Sequence, residues 1–332
     1  METLNLEILN PGPILADLKI KLRTLAESPH FYLRRLHANT SQGLIADTHI
    51  NELGIRESSL PAVLHMIGIR SITLNAQQDL SPLHRLSEGI PSAGCEQDRR
   101  RYLTSDAVTH VLQSFLAHCC TIAFEDWAGL SGASELWSSL LRGVIRPVGK
   151  QGLEFIFYLG DPLSRRLFQV EEVLDIISEF AEHGQVTVAL DEEEAIKLWM
   201  VLNGVHEYSS VTGQVFPDLK RKYVSIFRTI LVDRLLVYSA TQAMLFTRQA
   251  QVLLARKKMA SSFEIAPEAR ESFIDGFCIG LVRQLDIVRC LALGLIVFGS
   301  RSETDEKQPG IFSYIGRWEE DLQQQEIMYL YQ

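Results

Sequence analysis

The polar and apolar positions of this chain change period several times, and the changes mark the elements. From Thr104 the residues Val108, Val111, Leu112, Phe115, Cys119, Ile122 and Ala123 recur at three- and four-residue spacing. That spacing predicts one apolar stripe along a helix of about five turns. Thr104 is its expected N-cap, with Asp106 in the first turn. A shorter helix is expected at 134–144.

The middle of the chain reads differently. Residues 153–159 (LEFIFYL) are aromatic and β-branched and predict a strand. Val170, Val173, Leu174, Ile176, Ile177 and Phe180 predict a helix over 167–182, stopped at Gly184. Residues 186–190 (VTVAL) predict a second strand. Asp191 then caps another helix, with Glu194 placed to reach back in a capping box and Gly204 to end it. The order β-α-β-α over about 153–203 favours parallel strands joined by a right-handed crossover.

Residues 218–259 contain no glycine and no proline. They predict one long helix, about 60 Å if unbroken. Another helix is expected over 267–297, kinked at Gly276, Gly280 or Gly294. Nearer the N-terminus the pattern predicts helices at 14–26 and 59–68 and a short strand at 70–75. Gly89, Pro91 and Gly94 make 86–100 the expected linker. The tail from Ile311 is acidic and glutamine-rich, and reads as a docking helix or a loose end.

These elements imply an α+β fold, predominantly α-helical, with a small sheet built around the central β-α-β-α element and packed by long helices. Three regions follow: a mixed helical segment over 1–95, a main helical domain over 100–300, and a linker with an acidic tail over 301–332.

Composition narrows the function classes. The chain has 332 residues, of which 46% are hydrophobic, enough for a sizeable core without disulfides or metals. The formal net charge of -9 disfavours general affinity for nucleic acid. The five cysteines (Cys95, Cys119, Cys120, Cys278 and Cys290) form no CxxC pair, and an odd, irregular set reads as reduced thiols in the cytoplasm. The N-terminus lacks the pattern of a signal peptide, and no apolar run is long enough to span a membrane. The best approach to one, Ile287–Phe298, is short and interrupted by Arg289.

Candidate chemistry is sparse. His110, Ser114 and His118 share a helix face, but the two histidines are about 12 Å apart along the axis, too far for one metal. Cys119 and Cys120 are expected mid-helix, without the base or helix N-terminus that activates a thiol. The basic groups Arg99–Arg101 and Arg142, Arg146 and Lys150 lack the glycines of a phosphate cradle. No metal or cofactor is expected.

One site is geometrically reasonable. Open parallel sheets bind ligands beyond the C-terminal ends of their strands. Asp161 leaves the first central strand on the edge where Asp191 and Glu192 leave the second, and Arg165 and Arg166 follow closely. His183 and His206 fall on the opposite edge.

Two functions lead in this reading, with a nucleic-acid-associated protein using the basic clusters as a third. The first is a non-catalytic binding, adaptor or regulatory protein. It would act through helical surfaces and bind a protein partner or itself through the long helix 218–259. The alternative is an enzyme whose site is made by Asp161, Arg165, Asp191 and Glu192.

Overall fold

The computed structural model describes residues 6–24, 31–34, 55–58, 70–74, 113, 116–117, 119–124, 127–129, 132–205, 216–256, 267–302 and 311–330. They form two compact units. One gathers the described residues of 31–34, 55–58 and 70–235; the other gathers 6–24 and everything described from Leu236 onward.

The first unit is built on a sheet. Its strands are β2 (Phe31–Arg34), β3 (Ile55–Ser58), β4 (Arg70–Leu74), β5 (Cys119–Phe124), β6 (Leu153–Tyr158) and β7 (Gly184–Asp191). They lie in the order β3-β4-β2-β5-β6-β7. Every neighbouring pair is parallel except β3 with β4 at the edge. Its helices are α2 (Ala133–Leu140), α3 (Leu167–Glu179), α4 (Glu192–Leu202) and α5 (Phe216–Thr229). A π-helical stretch, Leu141–Ile145, continues α2. This is an α/β unit with a largely parallel sheet, so the expectation of a small sheet in a predominantly helical α+β fold is corrected.

The reason lies in the central strands. Thr121, Ile122, Ala123 and Phe124 are all at most 1% exposed. A strand buried on both faces shows no alternation, so its apolar run merges with the helical stripe before it. The helix expected through Ala123 therefore gives way to β5 at Cys119. Cys119 and Cys120 begin a strand rather than sit mid-helix. Residues 104–112, with His110, lie outside the described residues, as do Ser114 and His118, the expected helix 59–68, the linker 86–100, Cys95 and His206.

An aromatic cluster fills the space beside this sheet. Phe124 of β5 stacks on Phe157 of β6 with ring centroids 4.6 Å apart, nearly coplanar at 5°. Trp137 of α2 lies 5.2 Å from Phe157, and Phe180, just past α3, meets Phe157 edge-on at 5.0 Å. All four rings are at most 1% exposed.

The second unit contains β1 (Leu6–Ile8), α1 (Pro11–Thr24), β9 (Gln242–Thr247), β10 (Gln251–Ala255), α6 (Pro267–Val282), α7 (Ile287–Ser302) and α8 (Ile311–Leu330). β8 (Arg234–Tyr238) is where the chain passes from one unit to the other. β10 pairs antiparallel with β9 and parallel with β1. The single helix expected over 218–259 is thus corrected to α5 followed by three strands. Leu235–Tyr238, Ala243–Phe246 and Val252–Leu254 are fully apolar buried runs, which carry no period. The turns between them use neither glycine nor proline. At the second, the Thr247 hydroxyl accepts the Gln249 and Ala250 N–H groups at 3.2 and 2.9 Å, a side-chain mimic of a backbone turn.

The helix expected over 267–297 is a hairpin of α6 and α7. The break falls at Gln284, which has a φ of 54°, not at a glycine. The glycines serve close packing instead. A Cβ on Gly276 would lie 2.7 Å from the Leu293 carbonyl oxygen, and one on Gly280 would lie 2.8 Å from Cys290 Sγ. Cys278 and Cys290 are buried thiols in this hairpin. The tail is a helix: α8 buries Ile311, Tyr314, Ile315 and Trp318 along one stripe. Lys19 of α1 pairs with Glu319 of α8, and Asp17 with Arg289 of α7. Among the described residues no helix is long and apolar enough to cross a membrane.

Candidate functional site

β6 and β7 are parallel, with Leu153 beside Gly184 and Tyr158 beside Ala189. Their C-terminal ends therefore open on one edge. Gly160, with a φ of 72°, turns the chain out of β6. Asp161 follows and caps a short helical turn, its Oδ1 accepting the Leu163 N–H at 3.0 Å. At the end of β7, Asp191 caps α4: its Oδ1 accepts the Glu194 N–H at 2.8 Å, and Glu194 Oε2 accepts the Asp191 N–H at 3.0 Å. The capping box read from the sequence is present.

The two connections are joined by a residue the sequence reading missed. Lys197, in the second turn of α4, donates to Asp161 Oδ2 at 2.8 Å and lies 2.9 Å from Glu193 Oε1. Burial works against this ammonium, but the hydrogen bonds it donates to Asp161 and Glu193 outweigh it and hold its pKa above the ordinary lysine value. Half of this arrangement was legible, since Glu193 and Lys197 are an i,i+4 pair. The other half needs the fold.

Tyr158 at the end of β6 donates its hydroxyl to Glu194 Oε1. Asp191 and Glu194 are each 4% exposed. Their position at the N-terminus of α4, where the helix dipole favours negative charge, helps offset the cost of burying them. Tyr223 of α5 is fully buried, and burial together with the Glu192 and Asp191 carboxylates raises its pKa. It stays a neutral phenol at physiological pH. Glu192 itself is half-buried in the first turn of α4.

Arg165 is close in sequence but turns toward the segment after β5. Its Nε donates to the Ala128 carbonyl at 3.0 Å, its Nη2 to that of Trp127 at 3.4 Å, and its guanidinium lies 5.6 Å from the Trp127 ring. It clasps the segment following β5, which also bonds the residue just past β6, Ala128 N–H to Leu159 O at 2.8 Å. The Arg166 N–H is taken up by the Gln169 side chain at 3.1 Å. So the structure brings Asp161 together with Lys197 and Glu193, and places Asp191 with Glu194 and Tyr158. It commits Arg165 to the protein's own carbonyls.

His183 precedes β7 and sits at the other end of that strand. Arg142, Arg146 and Lys150 do not converge: Arg146 pairs with Glu179 at 3.0 Å, and Lys150 donates to the Ala117 carbonyl at 2.9 Å. Among the described residues no group of three metal-ligating side chains forms a metal site.

Two predictions arise here. Asp191→Ala is expected to cost about 1 kcal/mol through the lost cap while Asp191→Asn costs a few tenths, read by urea denaturation; equal losses would sink the capping role. The second concerns Lys222 of α5, whose buried Nζ sits 4.1 Å from the Trp199 ring centroid and makes no hydrogen bond. Burial, partly countered by Asp218, lowers its pKa. The unfolded chain therefore binds more protons between the lowered folded value and the unfolded value of about 10.4. Stability rises with pH across that window. Lys222→Met is expected to abolish this rise in denaturation curves taken from pH 7 to 10, and a rise of unchanged slope in the variant would refute it.

No family model and no curated protein matches the chain. Solved structures do. A carbohydrate kinase from Agrobacterium tumefaciens aligns at 11% identity over 76% of this chain and 74% of its own, with a TM-score of 0.44. A ribokinase from Arabidopsis thaliana, complexed with ribose and ATP, aligns at 13% identity over 65% of this chain and 59% of its own, with a TM-score of 0.42. An adenosine kinase from Sinorhizobium meliloti aligns at 14% identity over 57% of this chain and 50% of its own, with a TM-score of 0.40. The chain thus spans half to three fifths of the length of the last two. At these scores the likeness assigns no family. The expectation of a non-catalytic, self-associating regulatory adaptor is nevertheless corrected. The long helix meant to carry it is replaced by α5 and three strands.

Proposed function

We propose that the chain is an enzyme acting on a small hydroxylated molecule at the C-terminal edge of β6 and β7. The observation that carries this reading is the Lys197 bridge, 2.8 Å from Asp161 and 2.9 Å from Glu193. It holds an exposed carboxylate in a fixed place where parallel sheets bind ligands. Asp161 accepts the proton or hydrogen bond of a substrate hydroxyl, Lys197 orients it as counter-ion, and the buried Tyr158–Glu194–Asp191 group keeps the start of α4 in place. A small-molecule substrate, rather than nucleic acid, is supported by the net charge of -9. A cytoplasmic setting is supported by the buried thiols Cys278 and Cys290.

The test is turnover on a panel of hydroxylated small molecules, starting with ATP paired with ribose or with adenosine. Asp161→Asn is expected to lower kcat at least about 100-fold, the contribution of one general base, with the thermal midpoint unchanged. Activity retained in Asp161→Asn would overturn the reading.

A further inference from the structure

The loop that carries Asp161 leaves and returns at one residue. Ala128 lies in the segment after β5. Its N–H donates to the Leu159 carbonyl at 2.8 Å, where the loop departs from β6. Its own carbonyl accepts the Arg165 Nε–H at 3.0 Å, where the loop ends. Trp127 repeats the pattern more loosely. Its N–H reaches the Tyr158 carbonyl at 3.5 Å, and its carbonyl accepts from Arg165 Nη2 at 3.4 Å. Residues 159–165 are thus closed at their base on one dipeptide. That dipeptide is itself fixed: Trp127 is 3% exposed, and its indole N–H donates to Ser134 Oγ of α2 at 3.0 Å.

The bonds within the loop set its shape and not its place. The Asp161 carbonyl accepts the Ser164 N–H at 3.1 Å and the Ser164 hydroxyl at 2.8 Å, and the Pro162 carbonyl accepts the Arg165 N–H at 3.2 Å. Together with the Asp161 cap on Leu163, they make residues 161–165 one turn, so Asp161 and Arg165 move as a unit. Asp161, Leu163 and Ser164 are exposed. An exposed ion pair such as Asp161 with Lys197 is a weak tether on its own. A guanidinium fork on two carbonyls, half-buried against the Trp127 ring, is a stronger one. Its two donors fix direction as well as distance. We infer that Arg165 is a positioning residue: by fastening the end of this loop to Trp127 and Ala128, it sets the place of the Asp161 carboxylate opposite Lys197. This role rests on the enzyme reading above and adds to it a residue that acts through Asp161.

The experiment reads Lys197 before it reads turnover. Acylating reagents attack the neutral amine, whose share grows about tenfold for each unit the pKa falls. Acetylation of the full chain by N-hydroxysuccinimidyl acetate at pH 9, followed by mass spectrometry, gives the rate at Lys197 relative to that at Lys150. Asp161→Asn weakens one partner outright and sets the upper limit. Arg165→Ala is expected to raise the ratio at least about threefold, and at least halfway to that limit. Arg165→Lys keeps the charge but offers no fork, so it should recover only part of the hold. It decides the matter where the alanine variant does not fold. A ratio equal to wild type in the variant that decides, with a lowered thermal midpoint, would show that Arg165 serves only the fold. On any substrate found, Arg165→Ala should lower kcat at least about tenfold and change KM by less than about threefold, the mark of a misplaced group. A loss confined to KM would overturn the role. The enzyme reading fails separately: raised Lys197 labelling with full activity in Asp161→Asn would sink that reading and leave the hold of Arg165 on Asp161 standing.

Discussion

Phe157→Ala is expected to cost about 4 kcal/mol, in the middle of the range for burying and then deleting a phenyl ring. Phe157 is fully buried and touches three other buried rings, stacking on Phe124 at 4.6 Å and meeting Trp137 and Phe180 at 5.2 and 5.0 Å. Deletion removes the buried area and also the favourable geometry of the aromatic pairs, each worth roughly 1 kcal/mol beyond its area. The cavity has little chance to collapse, because its walls are the backbone of two central strands and the indole of α2. Phe157→Leu, which keeps most of the volume, should recover more than half of the loss. Urea denaturation followed by tryptophan fluorescence reads the effect, since Trp137 borders the cavity. A loss under about 1.5 kcal/mol, the scale of a tolerated volume-conserving swap, would mean that the cluster packs far less tightly than its ring distances imply.

Gly276→Val carries the second large effect, through excess volume. A Cβ at Gly276 meets the Leu293 carbonyl oxygen at 2.7 Å, Gly294 Cα at 2.9 Å and Val297 Cγ2 at 2.9 Å. Two of these are backbone atoms that cannot rotate away, so α6 and α7 must separate. The reciprocal contact closes the same seam: a Cβ on Gly294 would sit 2.9 Å from the Phe273 ring. Overpacking of this kind costs about 3 kcal/mol, and the separation also loosens Phe273 from Tyr238, on which it stacks at 4.3 Å. Gly276→Ala should cost less than the valine but remain destabilising, although alanine is the better helix former by about 1 kcal/mol. A stabilised Gly276→Ala would show that propensity outweighs contact here and that the seam is loose.

Much of the α/β region was legible in the sequence because its elements alternate period. The runs LEFIFYL and VTVAL became β6 and β7, the stripe ending at Phe180 became α3, and the Asp191–Glu194 capping box marked the start of α4. The failures share one cause. Strands buried on both faces have no period, so CCTIAF and the three runs after Arg234 were absorbed into neighbouring helical patterns. Where turns lack glycine and proline, as at Thr247, punctuation fails as well. The glycines of α6 and α7 show the converse error. They read as kinks, whereas they are points of close approach that only a partner helix explains. In the candidate site, Asp161 and Asp191 followed from strand direction alone. Lys197 and Tyr158 did not, because they join that edge through contacts between elements 36 residues apart. Arg165 was placed on the edge by its sequence position, yet its direction is set by carbonyls some 37 residues earlier.

The pairing of β1 sets an order of events during synthesis. Leu6 lies beside Gln251 and Ile8 beside Leu253, so β1 has no partner until the chain has been made through β10. Ile8, 73% exposed even when folded, travels with an unpaired backbone for that whole interval. Strands in that state are the ones that join to the wrong neighbour. The α/β unit, by contrast, ends at Leu235 and has its sheet complete before β10 exists. A chain truncated after residue 240 should therefore hold a protease-resistant core whose residues 6–24 are cut away freely, and the chain carried through β10 should protect them.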